Sequence, residues 1–324
     1  MAYDLEFEKP LAELDKKITA LRRRGERLKP EEHVQLQELE RELHNRTEEI
    51  YKNLTSWQTA LVARHKDRPY SADYLRLMCD DFFELHGDRS FGDDHAIMAG
   101  PASLDGNIVM FICHQKGRDL KERVFRNNGM PHPEGYRKTY RLMQQAEKFG
   151  IPVISLIDVS GASPGLVDEE RGQSEAIASN LYLMARLRVP IIATVIGEGG
   201  SGGALAISVA DRILMMQHSY YTVAAPEAAA SIMWRDAAYA PQAAEAMHIS
   251  AKELKPFGLV DELVPEPSGG AHRNHREAAD NLKEVLLRHL IELKQFSTDE
   301  LLEKRYQKFR VIGKFDRAEN SAAP

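Results

Sequence analysis

The chain has 324 residues, 28% of them charged and 43% hydrophobic, with a formal net charge of −6. That is the balance of a globular chain of one large or two ordinary domains, and its acidity argues against general nucleic-acid binding. No apolar run nears the roughly 18 residues of a membrane span and no leader pattern opens the chain, so a cytoplasmic protein without membrane contact is expected; the two cysteines, Cys79 and Cys113, exclude a disulfide framework or a Cys-based zinc ribbon here.

Residues 10–66 read as helical. Pro10 suits a first helical position, and a loop is expected around Gly25–Pro30. Beyond it Leu36, Leu39, Leu43, Ile50, Leu54, Trp57 and Leu61 recur mostly at intervals of three, four or seven, an apolar stripe on one long helix. Such a hairpin either packs on its own core or serves as a partner-binding arm; so much helix before any strand favours the arm. Ser71 is placed to cap a helix running through Leu85.

Ala96–Ser103 and Asn107–His114 alternate as strands joined at Asp105-Gly106, a strong hairpin signal. From His114 to Arg141 eight Lys/Arg face three acids, the most basic window of an acidic chain. It is either a solvated helix face or a landing surface for a phosphate-bearing ligand or an acidic partner. Tyr136–Phe149 reads as helix and Pro152–Ile157 as a buried strand. That strand ends in a glycine turn, DVSGASPG, Asp158 to Gly165, and Arg171-Gly172-Gln173 then leads into a helix to about Leu187.

The most distinctive stretch is Val189 to Ala210. A β-branched strand, Pro190–Ile196, should give way to the turn GEGGSGG, Gly197–Gly203, and then to a short helix, Ala204–Val209. Arg212–Met216 and Tyr220–Ala224 read as strands and Pro226–Trp234 as helix. Strands, turns and helices alternating in this way imply an α/β fold of ββα units. Two helices close the chain, about His275–Gln295 and Thr298–Phe309. Ser297 and Glu300 form a capping box, and the tail ENSAAP is expected to be disordered.

Three chemistries compete for the glycine turn. Gly197-x-Gly199-x-x-Gly202 matches a dinucleotide fingerprint, yet the following strand ends in Gln217-His218, with no acid for a ribose. Gly199-Gly200-Ser201-Gly202-Gly203 matches a nucleophile elbow, with His218, His248 and His272 downstream. Third, the N–H groups of Gly202 and Gly203 could form an oxyanion hole without a nucleophile, in which case a Cβ at Gly203 would block approach to them. A turn that serves packing alone is the remaining option, although five glycines in seven residues exceed what one turn needs.

The stretches HQKGR, MPHPEGYRKTYRLMQQAEKFGIPVI, ERGQSEAIA, VIGEGGSGGALA, AAPEAAASIMW and EPSGGAHRN resemble, in order, the alpha-subunit family of bacterial acetyl-CoA carboxylase carboxyltransferases, and the resemblance runs from FEKPLAELDKKI to about Tyr306. It selects the oxyanion reading and implies a crotonase-like α/β fold, a superhelix of ββα units with helical extensions at both ends. The parts expected are a helical arm over 1–67, a core over 68–268 and C-terminal helices with a tail over 269–324.

The implied reaction moves a carboxyl group from carboxybiotin, borne on a carrier protein, to acetyl-CoA, giving malonyl-CoA. That is the committed step of fatty-acid synthesis. Decarboxylation leaves charge on the ureido oxygen and methyl deprotonation leaves an enolate, so two oxyanion holes are needed. Gly202 and Gly203 match the alpha-side pair. Gly161, Gly165, Gly199 and Gly200 are expected beside carboxybiotin. The resemblance further implies a beta subunit in an α2β2 assembly carrying the zinc and the second hole, together with the biotin carboxyl carrier protein and biotin carboxylase; no metal ligand is assigned in this chain.

Two departures stand out. The family's aspartate-threonine-proline-glycine-alanine-tyrosine-proline-glycine turn is here Asp158-Val159-Ser160-Gly161-Ala162-Ser163-Pro164-Gly165, and its glycine-cysteine pair is Ala228-Ala229. A scaffold subunit without a catalytic role, or a carboxyltransferase for another acyl-CoA, are the alternatives these changes keep open. A serine hydrolase through Ser201 is the remotest.

Overall fold

The computed structural model describes residues 3–313, so the ENSAAP tail lies outside the described residues. Helices α1 (Lys9–Arg22) and α2 (Pro30–Lys52) pack on each other, burying Leu11, Leu14 and Ile18. The long helix expected to reach Leu61 breaks at residues 53–55. Asn53 turns its amide onto the Glu49 carbonyl at 2.9 Å, and Thr55 Oγ caps α3 (Ser56–Ala63) by accepting from Gln58 N at 3.1 Å. Trp57 and Leu61 therefore belong to a separate helix.

Ser71 is the first residue inside helix α4 (Ser71–Met78) and not its cap; Tyr70 holds the N-cap position, its N–H donating to Asp73 Oδ2 at 2.9 Å, and the helix stops short of Leu85. Residues 82–85 instead run extended beside β1 (Ile97–Leu104): Phe83 N donates to Pro101 O at 3.0 Å and Leu85 N to Ala99 O at 2.8 Å. β1 and β2 (Asn107–His114) pair antiparallel, with Leu104 opposite Asn107. Asp105 and Gly106 take φ of 52° and 75°, as a tight two-residue turn requires.

The elements that follow are α5 (Leu120–Phe125), α6 (Pro133–Phe149), β3 (Val153–Val159), α7 (Leu166–Glu170), α8 (Gln173–Arg186), β4 (Ile191–Gly200), α9 (Ser201–Leu205) and β5 (Arg212–Met216). Then come β6 (Tyr220–Thr222), α10 (Pro226–Trp234), α11 (Ala240–Met247), α12 (Ala251–Leu254), β7 (Glu262–Val264), α13 (His275–Leu293) and α14 (Thr298–Arg310). The seven strands form one sheet in the order β1-β2-β3-β4-β5-β7, parallel from β2 onward, with β6 pairing the end of β4.

Alternation decides which side chains face which layer. Ile154, Leu156 and Ile192 pack with Leu282 and Leu286 of α13 and Tyr74 of α4. Val153, Ile157, Ile191 and Val195 pack with Leu142 of α6 and Leu183 of α8 on the other face. Each such buried side chain contributes on the order of 2 kcal/mol of hydrophobic stabilisation.

Both helical extensions engage this core. α3 touches β4, β6 and α11. On α14, the buried Arg305 donates to the carbonyls of Met184, Leu187 and Val189 at 2.7, 2.7 and 3.0 Å and to both oxygens of Asp211 at 2.8 Å. Asp211 in turn accepts from Ile191 N at 2.7 Å, at the start of β4. No helix among the described residues is long and apolar enough to cross a membrane.

Candidate active site at two apposed glycine turns

β4 does not end at Ile196. It runs on to Gly200, so most of the expected turn is strand and the helix begins three residues early, at Ser201. The reason is close approach. Val159 pairs with Gly199, and a Cβ on Gly200 would lie 2.1 Å from the Ser160 carbonyl oxygen. On Gly199 it would lie 2.9 Å from the Tyr221 ring, and on Gly197 2.6 Å from Asp158 Oδ1. These glycines let three chain segments close on one another; their Cα faces are filled by protein.

At the head of α9, Gly202 and Gly203 are first-turn residues, whose N–H groups have no carbonyl partner within the helix. Gly203 is backed by the other glycine turn: a Cβ there would lie 2.6 Å from Ala162 N and 2.7 Å from Gly161 C. The obstacle to a side chain is thus the turn behind Gly203, not the approach to its N–H as the sequence suggested. Gly202 is half-buried and open, with only Ile177 Cδ1 nearby, 3.6 Å from an added Cβ. Gly161 has open space around it, and Gly165 abuts Asp168 Oδ2, 2.8 Å from an added Cβ. Sequence-assigned Gly161, Gly200, Gly202 and Gly203 therefore meet in one place, with Gly199 and Gly165 on its flanks.

The competing chemistries find little support in this geometry. A five-residue α9 is too short for a dinucleotide crossover helix. Ser201 has the elbow's positive φ, 53°, but the three histidines are engaged elsewhere. The His218 ring packs against Tyr51 at 5.3 Å, His272 stacks on His65 at 4.1 Å, and His248 pairs with Glu253 at 3.2 Å.

The carboxyl ends of β2, β3 and β4 carry an ion network that sequence reasoning missed. Lys116 Nζ donates to Asp158 Oδ1 at 2.7 Å and also to Glu198 Oε2. Arg64, just after α3, donates to Glu198 Oε1 and to Glu227 Oε1, each at 2.6 Å, and Tyr220 Oη donates to Glu198. Burial alone would raise the Glu198 pKa; Lys116 and Arg64 outweigh it and bring it down to about 2. Burial likewise opposes charge on Lys116, and Asp158 and Glu198 overcome it, raising its pKa. A signal existed: in adjacent parallel strands, charged residues two positions beyond β2 and near the ends of β3 and β4 must share one edge.

The departing turn has its own anchor. Ser163 Oγ donates to Asp168 Oδ2 at 2.5 Å, and Asp168 Oδ1 receives His132 Nδ1 at 2.6 Å and Arg171 at 2.9 Å. Gln173 Nε2 donates to the carbonyls of Pro131 and Ser163 at 2.8 and 2.9 Å. Burial would raise the Asp168 pKa, but the bonds from Ser163 and His132 lower it. In the other departure, Ala229 packs among small residues, Ala230 and Ala243. Behind Gly203, the His114 ring is fully buried, and burial followed by the Lys116 charge pushes its pKa down to about 3.

Two hollows flank the glycines. A polar cleft of about 220 Å³ is bordered by Arg64, Tyr70, Lys116, Arg123, Ser160 and Glu198. An apolar groove of about 410 Å³ runs from Ser201 and Gly202 past Leu205, Tyr221 and Val223 to Phe309. Much of the basic window is turned inward: Lys116 onto Asp158, Arg118 onto Asp73, Arg137 onto Asp88, Lys138 onto Asp93. Arg118, although paired, stays exposed, as do Lys121 and Arg123.

Residues 4–313 match the family described as acetyl co-enzyme A carboxylase carboxyltransferase-like. The chain is 54% identical over 314 residues to the acetyl-coenzyme A carboxylase carboxyl transferase subunit alpha of Geobacter metallireducens, covering 97% of this chain and 98% of that protein. The protein of the same name from Vibrio vulnificus is 54% identical over 312 residues, 95% of this chain and 98% of its own. Among solved structures, a transcarboxylase 12S chain superposes with a TM-score of 0.55 at 16% identity, over 79% of this chain and 44% of that one. The beta subunit of P. aeruginosa geranyl-CoA carboxylase gives 0.55 at 16% identity, over 82% and 48%. These distant likenesses bear out the crotonase-like α/β fold, and the sequence matches go further: the chain belongs to the family of acetyl-CoA carboxylase carboxyltransferase alpha subunits.

Proposed function

We propose that the chain is the alpha half of a biotin-dependent carboxyltransferase that takes a carboxyl group from carboxybiotin to acetyl-CoA and yields malonyl-CoA. The observation that carries this is the N–H pair of Gly202 and Gly203 at the head of α9, backed by the Gly161–Ala162 backbone. Paired donors fixed in this way stabilise a developing oxyanion.

The open face at Gly202 and the apolar groove beside it suit a flat bicyclic ring on an alkyl arm. Bound biotin would supply the carboxyl group in its activated form. Gly202 and Gly203 would donate to the ureido oxygen, Gly161 would border the ring, and Gly165, Gly199 and Gly200 would shape the floor. The Lys116–Glu198–Asp158 network would hold the strand ends rigid beneath it. No side chain is needed as a base on this half.

The thioester oxyanion would be met by a beta subunit carrying a zinc ribbon, in an α2β2 assembly in the cytoplasm that is served by the biotin carboxyl carrier protein and biotin carboxylase. Exposed Val124 and Phe125 on α5 and Ile232 and Met233 on α10 favour protein docking near the site. The decisive experiment is malonyl-CoA-dependent carboxylation of a soluble biotin derivative by the chain alone and with a co-expressed zinc-ribbon partner. Activity confined to the pair is expected. An assembled but inactive pair would favour the second reading, a scaffold subunit or another acyl-CoA, which the altered 158–165 turn motivates.

A further inference from the structure

Away from the glycine turns, the loop that leads into β1 gathers two histidines around one aspartate. Asp93 Oδ2 lies 2.8 Å from His86 Nδ1 and 3.7 Å from His95 Nδ1. The three candidate ligand atoms all lie within 4.8 Å of one another. The other oxygen of Asp93 is already fixed: Lys138 Nζ donates to Oδ1 at 2.7 Å and Gly87 N at 2.8 Å. Oδ2 is thereby aimed between the two rings. The His95 ring is braced by stacking on Phe125, with centroids 4.0 Å apart and planes 20° apart, and its carbonyl accepts from Arg126 at 2.9 Å. His86 is exposed and Asp93 and His95 are half-buried, so an ion can reach the group from solvent.

We propose that His86, Asp93 and His95 form a binding site for a divalent first-row metal ion of the zinc type. Bonds of about 2.0–2.1 Å in a tetrahedral site put ligand atoms about 3.3 Å apart. The separations of 2.8 and 3.7 Å straddle that value, so small side-chain rotations suffice. Two imidazoles and one carboxylate suit zinc, nickel or copper, whereas magnesium and calcium prefer oxygen alone. In the metal-bound form the neutral His86 ring carries its proton on Nε2, freeing Nδ1 to coordinate. Lys138 and Gly87 play the outer part, holding the carboxylate in place. Three protein ligands leave the fourth position to water.

Arg89 and Arg141 sit nearby but point at the carbonyls of His86 and Gly87, so the expected affinity is micromolar and not that of a closed structural site. The residues lie at 86, 93 and 95, a spacing that matches no familiar metal motif and so carries no signal in the sequence alone. Such an ion would cross-link the two ends of the 86–95 loop.

The test is calorimetric titration of the chelator-treated full chain with zinc chloride in a non-coordinating buffer, repeated with His86→Gln and His95→Gln. One equivalent bound in the micromolar range is expected, weakened at least about tenfold in each variant. Melting of the metal-free variants, expected to match wild type, guards against misfolding. Zinc binding that keeps its affinity in the His86→Gln/His95→Gln double variant would put the ion elsewhere, for instance at Asp4, His65 and Asp67, and would overturn the proposal. Absence of saturable binding to the wild-type chain would overturn it as well.

Discussion

Alanine at Gly203 and alanine at Gly202 are neighbouring changes that should differ sharply in what they do to stability. On Gly203 the new Cβ would sit 2.6 Å from Ala162 N, where ordinary contact begins at 3.4 Å, so α9 or the 158–165 turn must retreat by about 0.8 Å. The obstacle is backbone, with Tyr136 Oη a further 3.1 Å contact, so no rotamer relieves it. Overpacking of this kind costs about 1–3 kcal/mol. A catalytic displacement near 1 Å can cost about 100-fold in rate, and loss of one oxyanion donor about 100- to 1,000-fold. Gly203→Ala should therefore melt several degrees lower and lose about 100-fold or more in kcat/KM. On Gly202 the Cβ meets only Ile177 Cδ1, at an ordinary 3.6 Å. The substitution keeps the N–H and raises helix propensity by up to about 1 kcal/mol. Its melting point should hold or rise, although the Cβ projects into the face offered to the biotin ring, so any fall in rate should come without loss of stability. The assay is carboxylation of a biotin derivative by the assembled pair, alongside thermal melts. Full activity and unchanged melting for Gly203→Ala would refute the wedge argument. Equal falls in melting point in the two variants would refute the distinction drawn between them.

Gly200→Ala, with its Cβ 2.1 Å from the Ser160 carbonyl oxygen, should fail to give soluble protein, whereas Gly161→Ala, which meets nothing within 4 Å, should stay within about 0.5 kcal/mol of wild type in urea. Ser163→Ala strips the buried Asp168 of one donor and should cost about 1–3 kcal/mol in the same measurement; an unchanged midpoint would show that the bond does not anchor the turn. Glu198 is held at about pKa 2 against an ordinary 4.5, so the stability it contributes is complete above about pH 4.5 and is lost as pH falls toward 2. Glu266, lowered to about 2 beside Arg68, shares that window, so Glu198→Gln should flatten the acid limb of the stability profile only in part; parallel curves for variant and wild type would count against the network.

Local signals were legible where they act locally. Asp105-Gly106 gave the hairpin, Pro226 the start of α10, and Ser297 with Glu300 the start of α14. Each is decided within a few residues. The end of β4 was misread because glycines usually mean a loop; here the neighbouring Ser160 carbonyl and Tyr221 ring demand them inside a strand. The break after α2 was hidden because Leu54, Trp57 and Leu61 keep a helical rhythm across it, although Thr55 was available as a cap. At the candidate site, the glycine-rich turn stood out as a pattern, but its chemistry was chosen by the family resemblance and not by spacing. The partners Lys116, Asp158 and Glu198 left a signal at their strand ends that reads only once the strand order is known, and Arg64 joins them only through the path of α3.

Arg305 also bears on the direction in which the chain is made. It ties α14 to the exit of α8 and the entrance of β4, more than a hundred residues earlier in the sequence. While the chain emerges from the ribosome, the carbonyls of Met184, Leu187 and Val189 and the Asp211 carboxylate lack this donor until α14 has been extruded. The strand that delivers the glycine pair is thus secured from its far end by one of the later segments to appear. A cut just before Ser297 should undo that fastening and leave both glycine turns in the chain, while removing Phe309 from the end of the apolar groove.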